Sequence, residues 1–168
     1  MAVAAGAFTY EIPAYSVVTF ASALGPLPLI TLKASDAFNR TSFNQIENWN
    51  DTVAPTGVKH YSTAQYILRT PNTSGNHTFA GHSLSLPPQG ILRFKGSNSA
   101  IITIDKLLLD GGTIENGNGN SNFTLAGNLT VNAGSVVSPT TDASRAIHIA
   151  SHLTGSGSLV NGNGTPAP

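Results

Sequence analysis

The chain contains no cysteine, one tryptophan and one methionine, and only 10% of its 168 residues are charged. Without cysteine there is no disulfide, no thiolate zinc site and no cysteine nucleophile, although the compartment stays open. An average soluble domain carries about 25% charged residues, so the deficit argues against disorder driven by charge repulsion. Eight Lys and Arg balance eight Asp and Glu, which leaves no net field at neutral pH to draw in nucleic acid or an anionic membrane surface. A neutral partner is therefore expected, with no nucleic acid and no membrane. The longest apolar runs, Leu27 to Leu32 and Ile101 to Leu109, are interrupted by Pro28 and Thr31 and by Asp105 and Lys106. Both fall far short of the roughly 20 residues that span a bilayer. No basic region with an apolar stretch and cleavage site opens the chain, so an export signal is expected to lie outside these residues.

What is abundant is small and polar: 18 Thr, 17 Ser, 17 Gly and 15 Asn, beside 40% hydrophobic residues. That mixture supplies a core and many tight corners. The last 90 residues carry an imperfect repeat, in which a short apolar alternation is followed by Gly and a second short strand. The copies are Phe79 to Phe94, Ile102 to Glu115, Leu125 to Val137 and Ile149 to Val160. Taking Leu84, Leu107, Leu129 and Leu153 as equivalent, the steps are 23, 22 and 24 residues. Gly90, Gly112, Gly134 and Gly157 follow as corners, and Ile91, Ile114, Val136 and Leu159 mark the returning strand.

Period-two alternation marks half-buried strands, and no amphipathic stretch of helix length competes with it. A unit of this size cannot bury its apolar face alone and must stack on the next copy. The expected fold is all-β, a right-handed parallel β-helix of about 22–24 residues per coil. About seven turns would fit the chain, four of them legible. Leu29 to Lys33 and Gln65 to Arg69 read as further strands. Ser42 to Asp51 and Ala54 to Gly57 read as an irregular N-terminal capping region over the open end of the stack. The division expected is 1–25 as an N-terminal strand segment, 26–162 as the β-helix and 163–168 as linker.

Two resemblances follow from these residues. Thr63 to Gly162, with TFAGHSLSL, LLLDGGTIENGNG and LTVNAGSVV, resembles the β-helical repeats of secreted bacterial proteins, including autotransporter-type passengers and modules attached to polysaccharide-degrading enzymes. Ala7 to Ser22, AFTYEIPAYSVVTFAS, is similar to the final strands of the β-sandwich that follows the barrel in arabinofuranosidases and related glycoside hydrolases. Together they imply a secreted or cell-surface bacterial polypeptide with an attached catalytic domain. In that position the resemblance implies a non-catalytic carbohydrate-binding module for neutral plant polysaccharide, xylan or arabinoxylan first. A structural or adhesive β-helix without a specific ligand is the alternative, and a polysaccharide lyase or hydrolase fragment the third.

Sugars are gripped by flat aromatic faces and planar polar groups. Trp49, Tyr61 and Tyr66 are the aromatic candidates, each with packing as its competing role, while alternation with Leu92 points Phe94 inward. With the leucines inward, the outward residues of each coil form a ladder that suits an extended glycan. Lys106, Asp110, Asn128, Asn132 and His152 are its hydrogen-bonding candidates, and Ser83, Ser85, Leu108, Thr130 and Thr154 share the face. Catalysis would need two carboxyl groups converging in a cleft, and Asp105, Asp110 and Glu115 are the acids to consider, although their spacing matches no hydrolase motif. No cofactor is expected. His148 and His152 are about 13 Å apart on a regular strand, too far for one metal. Calcium would have to use the Asn-rich corner of Asn116, Asn118, Asn120 and Asn122, whose simpler role is to form turns.

Overall fold

The computed structural model describes residues 26–35, 43–96, 99–117, 121–138 and 145–162. The segment Ala7 to Ser22, with all of 1–25, residues 163–168, read above as linker, and Asn118 and Asn120 lie outside the described residues. The strands are β1 (Leu29–Thr31), β2 (His60–Ser62), β3 (Ile67–Arg69), β4 (His77–Thr78), β5 (Ser83–Leu86), β6 (Ile91–Phe94) and β7 (Ile101–Asp110). They continue as β8 (Thr113–Asn116), β9 (Phe123–Ala133), β10 (Ser135–Ser138), β11 (Ile147–Ile149), β12 (His152–Thr154) and β13 (Leu159–Asn161). A single 3-10 turn, Ile46–Asn48, is the only helical element among the described residues.

Every pairing between these strands is parallel, and successive coils add one strand to each of two sheets. The larger sheet runs β1-β2-β5-β7-β9-β11, with β12 also on β9 and β4 on β7; the smaller runs β13-β10-β8-β6-β3. The chain is a parallel β-solenoid of about four turns, counted from Tyr61 to Leu153. The seven turns anticipated from length alone are not reached among the described residues, which leave out 1–25 and 163–168, and the step from Ile30 to Tyr61 takes 31 residues because it carries the capping insertion.

The leucine equivalence is reproduced residue by residue. Ile30, Tyr61, Leu84, Leu107, Leu129 and Leu153 are partners in register down the larger sheet. Parity then sends Leu86, Leu109 and Val131 inward as a second buried column. In the smaller sheet the buried column is Leu68, Leu92, Ile114 and Val137. Here the sequence alignment needs correcting: Ile91, Thr113, Val136 and Val160 share a rung position, so Ile114 and Leu159 are each displaced by one. The corner from Leu107 to Thr113 is one residue shorter than that from Leu84 to Ile91. Gly90 and Gly112 do stack, each accepting the amide of the strand above, from Thr113 and Val136. A Cβ would lie 2.2 Å from the Thr63 hydroxyl at Gly90 and 2.6 Å from Leu86 Cβ at Gly112, so the tight corner excludes any larger residue.

The N-terminal end is closed by the insertion. Trp49 forms an antiparallel bridge with Leu32 and packs edge-on against Tyr61 at 4.7 Å between ring centroids. Tyr61 meets Phe79 at 5.4 Å and Phe43 meets Phe79 at 5.5 Å, so four rings form one buried plug. Edge-to-face aromatic pairs add about 0.5–1.5 kcal/mol each beyond area burial.

Candidate functional site

Two bulges shape the outward face of the larger sheet. Ile104 pairs with Gly127 and Lys106 with Asn128, so Asp105 is an additional residue on β7. Its carbonyl is taken by the side-chain amide of Asn128 at 2.8 Å, which satisfies a backbone group that the interrupted ladder would strand. Further along, Leu109 pairs with Val131 and Asp110 with Ala133, making Asn132 the additional residue on β9. Lys106, Asp110, Asn128, Asn132 and His152 are all exposed, so the inward and outward assignment read from alternation stands.

The central outward column consists of His60, Ser83, Lys106, Asn128 and His152. His60 partners Ser83, Lys106 partners Asn128, and Asn128 partners His152. Ser83 precedes Leu84 as Lys106 precedes Leu107, which completes the column. Rungs about 4.8 Å apart extend these five groups over about 19 Å. His60 Nδ1 lies 2.6 Å from the Ser83 hydroxyl, and the hydroxyls of Thr130 and Thr154 lie 2.9 Å apart in the next outward column. The Lys106 ammonium donates to His82 Nε2 at 3.0 Å. That nitrogen must therefore be an acceptor, which puts the proton on Nδ1, where it donates to the Gly57 carbonyl at 3.1 Å. The rings of His60 and His82 meet edge-on at 5.0 Å.

The aromatic candidates do not join this column. Trp49 is fully buried and its indole N–H donates to the Phe43 carbonyl. Tyr61 is fully buried as the rung below Leu84, and its hydroxyl oxygen accepts from the Thr56 amide. Tyr66 is half-buried and packs against the core. As sugar platforms, Trp49 and Tyr61 are corrected by this geometry, since neither presents a ring face to solvent. The signal for Tyr61 was available: it lies 23 residues before Leu84, one repeat step. Nothing comparable marked Trp49. His60, absent from the expected site residues, belongs to the face by the same arithmetic, being 23 residues before Ser83, whereas His82 precedes β5 and joins the face through its contact with Lys106.

The acids considered for catalysis are divided between sheets. Asp105 and Asp110 are exposed on β7, whereas Glu115 lies on β8 in the smaller sheet and accepts from Arg93. That second outward face uses its charges internally. The Lys95 ammonium donates to the Gly117 carbonyl, and burial, with the positive charges of Arg69 and Arg93, holds it below the usual lysine range. A cavity of about 380 Å³ opens at the C-terminal end, lined by Val137, Ile147, Ile149, Leu159, Val160 and Arg145 among others, with no carboxylate among the described residues. The described residues bring together no three His, Asp or Glu side chains able to hold a metal ion. Of the Asn-rich corner, Asn116 donates to the Ser121 carbonyl and Asn122 accepts from the Ala146 amide, both structural turn contacts. No described helix is long and apolar enough to cross a membrane.

Comparison of the chain with protein-family models, curated proteins and solved structures finds no match. The β-solenoid and its outward column are therefore the ground on which function is argued, and no catalytic family is found for it.

Proposed function

We propose that the protein binds an extended polysaccharide, without catalysis, along the outward face of the larger sheet. The observation that carries this reading is the outward, in-register column of half-buried His60 and Ser83 and exposed Lys106, Asn128 and His152. A glycan laid along the solenoid axis meets a hydrogen-bonding side chain at each rung, and weak contacts repeated along a chain accumulate. The resemblance of Ala7 to Ser22 to the tail of arabinofuranosidases supports an attached glycoside hydrolase, secretion or display at the bacterial surface, and xylan or arabinoxylan as ligand. The module's task is then to hold that enzyme beside its substrate, with no cofactor required. A structural or adhesive segment is the second reading, favoured by the burial of Trp49 and Tyr61, which leaves the column without an aromatic platform.

Affinity gel electrophoresis against xylan, arabinoxylan, glucan, mannan and pectin, with and without EDTA, separates the two. Retardation by a neutral polysaccharide that is lost in Lys106→Ala and in His152→Ala supports binding by the column. Failure of every glycan to retard the protein leaves the structural reading. Release of reducing ends or of unsaturated product would instead establish an enzyme.

A further inference from the structure

All five histidines belong to the larger sheet. His60, His77, His148 and His152 lie on β2, β4, β11 and β12, and His82 immediately precedes β5. The smaller sheet's strands have none. Fixed charge on the strands of the larger sheet is one lysine, Lys106, against two aspartates, Asp105 and Asp110. Imidazole is the side chain whose ordinary charge change falls between about pH 5 and pH 8. Acidification thus reverses the sign of one face of a chain whose formal charge is zero with histidine neutral.

We propose that this face is a pH-gated site for an acidic polysaccharide, in which His60, His148 and His152, when charged, join Lys106 to hold uronate carboxylates. The inference rests on reading the face as a glycan site and extends it from neutral to carboxylate-bearing chains.

His60, His148 and His152 meet uncharged partners, whereas His82 meets a cation. His60 faces the Ser83 hydroxyl and the His82 ring. His82 faces Lys106 from β7, His60 from β2 and the Gly57 carbonyl. A protonated His82 would have no lone pair for the Lys106 ammonium, so this contact keeps Nε2 an acceptor and places the ammonium on the face. His148 is in register with Thr124, and His152 with Asn128, neither of which is charged. Asp105 and Asp110 are the opposing charges on the face, while Asp51 is engaged by Lys59. His60, Lys106 and His152 recur at every second rung, about 10 Å apart. A row of that spacing suits an extended chain of carboxylates better than a compact anion. A nucleic acid is disfavoured because single strands stack on exposed aromatic rings, and the aromatic plug of this protein is buried.

Isothermal titration of the intact protein with polygalacturonate at about pH 5 and about pH 7.5, with xylan in parallel, tests the gate. The expected result is polygalacturonate affinity at least about tenfold higher at the lower pH, with little change for xylan. The triple variant His60→Gln, His148→Gln, His152→Gln is expected to lose most of that ratio while keeping its melting transition at the higher pH. Should the triple variant unfold, His152→Gln alone, at an exposed position, is expected to reduce the ratio. Equal polygalacturonate binding at both pH values, or none at the lower one, overturns the proposal. So does equally tight binding of a single-stranded oligonucleotide at the lower pH, since attraction to any polyanion would then suffice. Xylan binding that fails at both pH values removes the neutral-glycan reading, whereas the polygalacturonate ratio judges the gate separately.

Discussion

Tyr61 and Leu153 occupy the same inward column four turns apart, yet Tyr61 is fully buried and Leu153 is 55% exposed. Leu84, Leu107 and Leu129, between those ends, are buried. A strand in a solenoid covers one side of a ladder residue, and the neighbouring coil covers the other. At the N-terminal end the second cover is the folded-back insertion carrying Phe43 and Trp49; at the C-terminal end the described residues supply none. Burial in this architecture is a property of what is stacked on a residue, not of the residue's own alternation.

The largest effect that would break this contrast is at the plug. Trp49→Ala removes a fully buried side chain in contact with Tyr61 and Phe79 and is expected to cost about 3–5 kcal/mol, read from urea or thermal unfolding. A cost below about 1 kcal/mol would mean that the cap does not close the end. The contrast sharpens with one substitution made twice in the same column. Leu129→Ala should cost about 2–5 kcal/mol and Leu153→Ala less than about 1 kcal/mol. Equal losses would show that the C-terminal rung is covered in solution.

Gly127 tests the bulge that aims Lys106 and Asn128 outward. Its φ is +106°, and a Cβ there would lie 1.9 Å from the Ile104 carbonyl oxygen. Gly127→Ala is expected to cost about 1–3 kcal/mol and to weaken glycan retardation together with stability.

The smallest effect is a pH dependence at the cap, where Lys59 donates to Asp51 at 2.7 Å. Burial raises the Asp51 carboxyl, but the hydrogen bond from Lys59, the Val53 amide and attraction to the ammonium outweigh it and hold the group below its ordinary value. That contribution is complete above the unfolded carboxyl pKa of about 3.9 and fades as pH falls through the lower folded value. Lys59 is raised chiefly by its hydrogen bond to Asp51, so its contribution is present below about pH 10.4 and is lost as pH rises through the higher folded value. Melting curves of Asp51→Asn against the parent should converge on the acid side and separate near neutrality. A constant separation down to pH values below both carboxyl pKa values would remove the pair as the cause.

The larger sheet was legible because its coils keep an apolar residue at each inward position and, Leu108 apart, polar residues on either side, from Leu84 to Leu153. A period of 22–24 residues with two-residue alternation leaves one way to stack, which fixed the fold and aimed Lys106, Asp110, Asn128, Asn132 and His152 outward. The smaller sheet was misaligned at Ile114 and Leu159 because corners differ by a residue, and a one-residue slip exchanges the faces of a strand. The bulges at Asp105 and Asn132 were invisible for a related reason: an additional residue inside a strand looks like any other in an alternating run. Sequence by itself determined the parallel solenoid, its leucine column and the polar character of one face, since these depend on periodicity along the chain. Only tertiary structure decided that Trp49 and Tyr61 close an end and that His82 meets Lys106. Those contacts depend on the irregular insertion and on the side chains at the corners, which periodicity does not specify, and they form only once the coils have stacked.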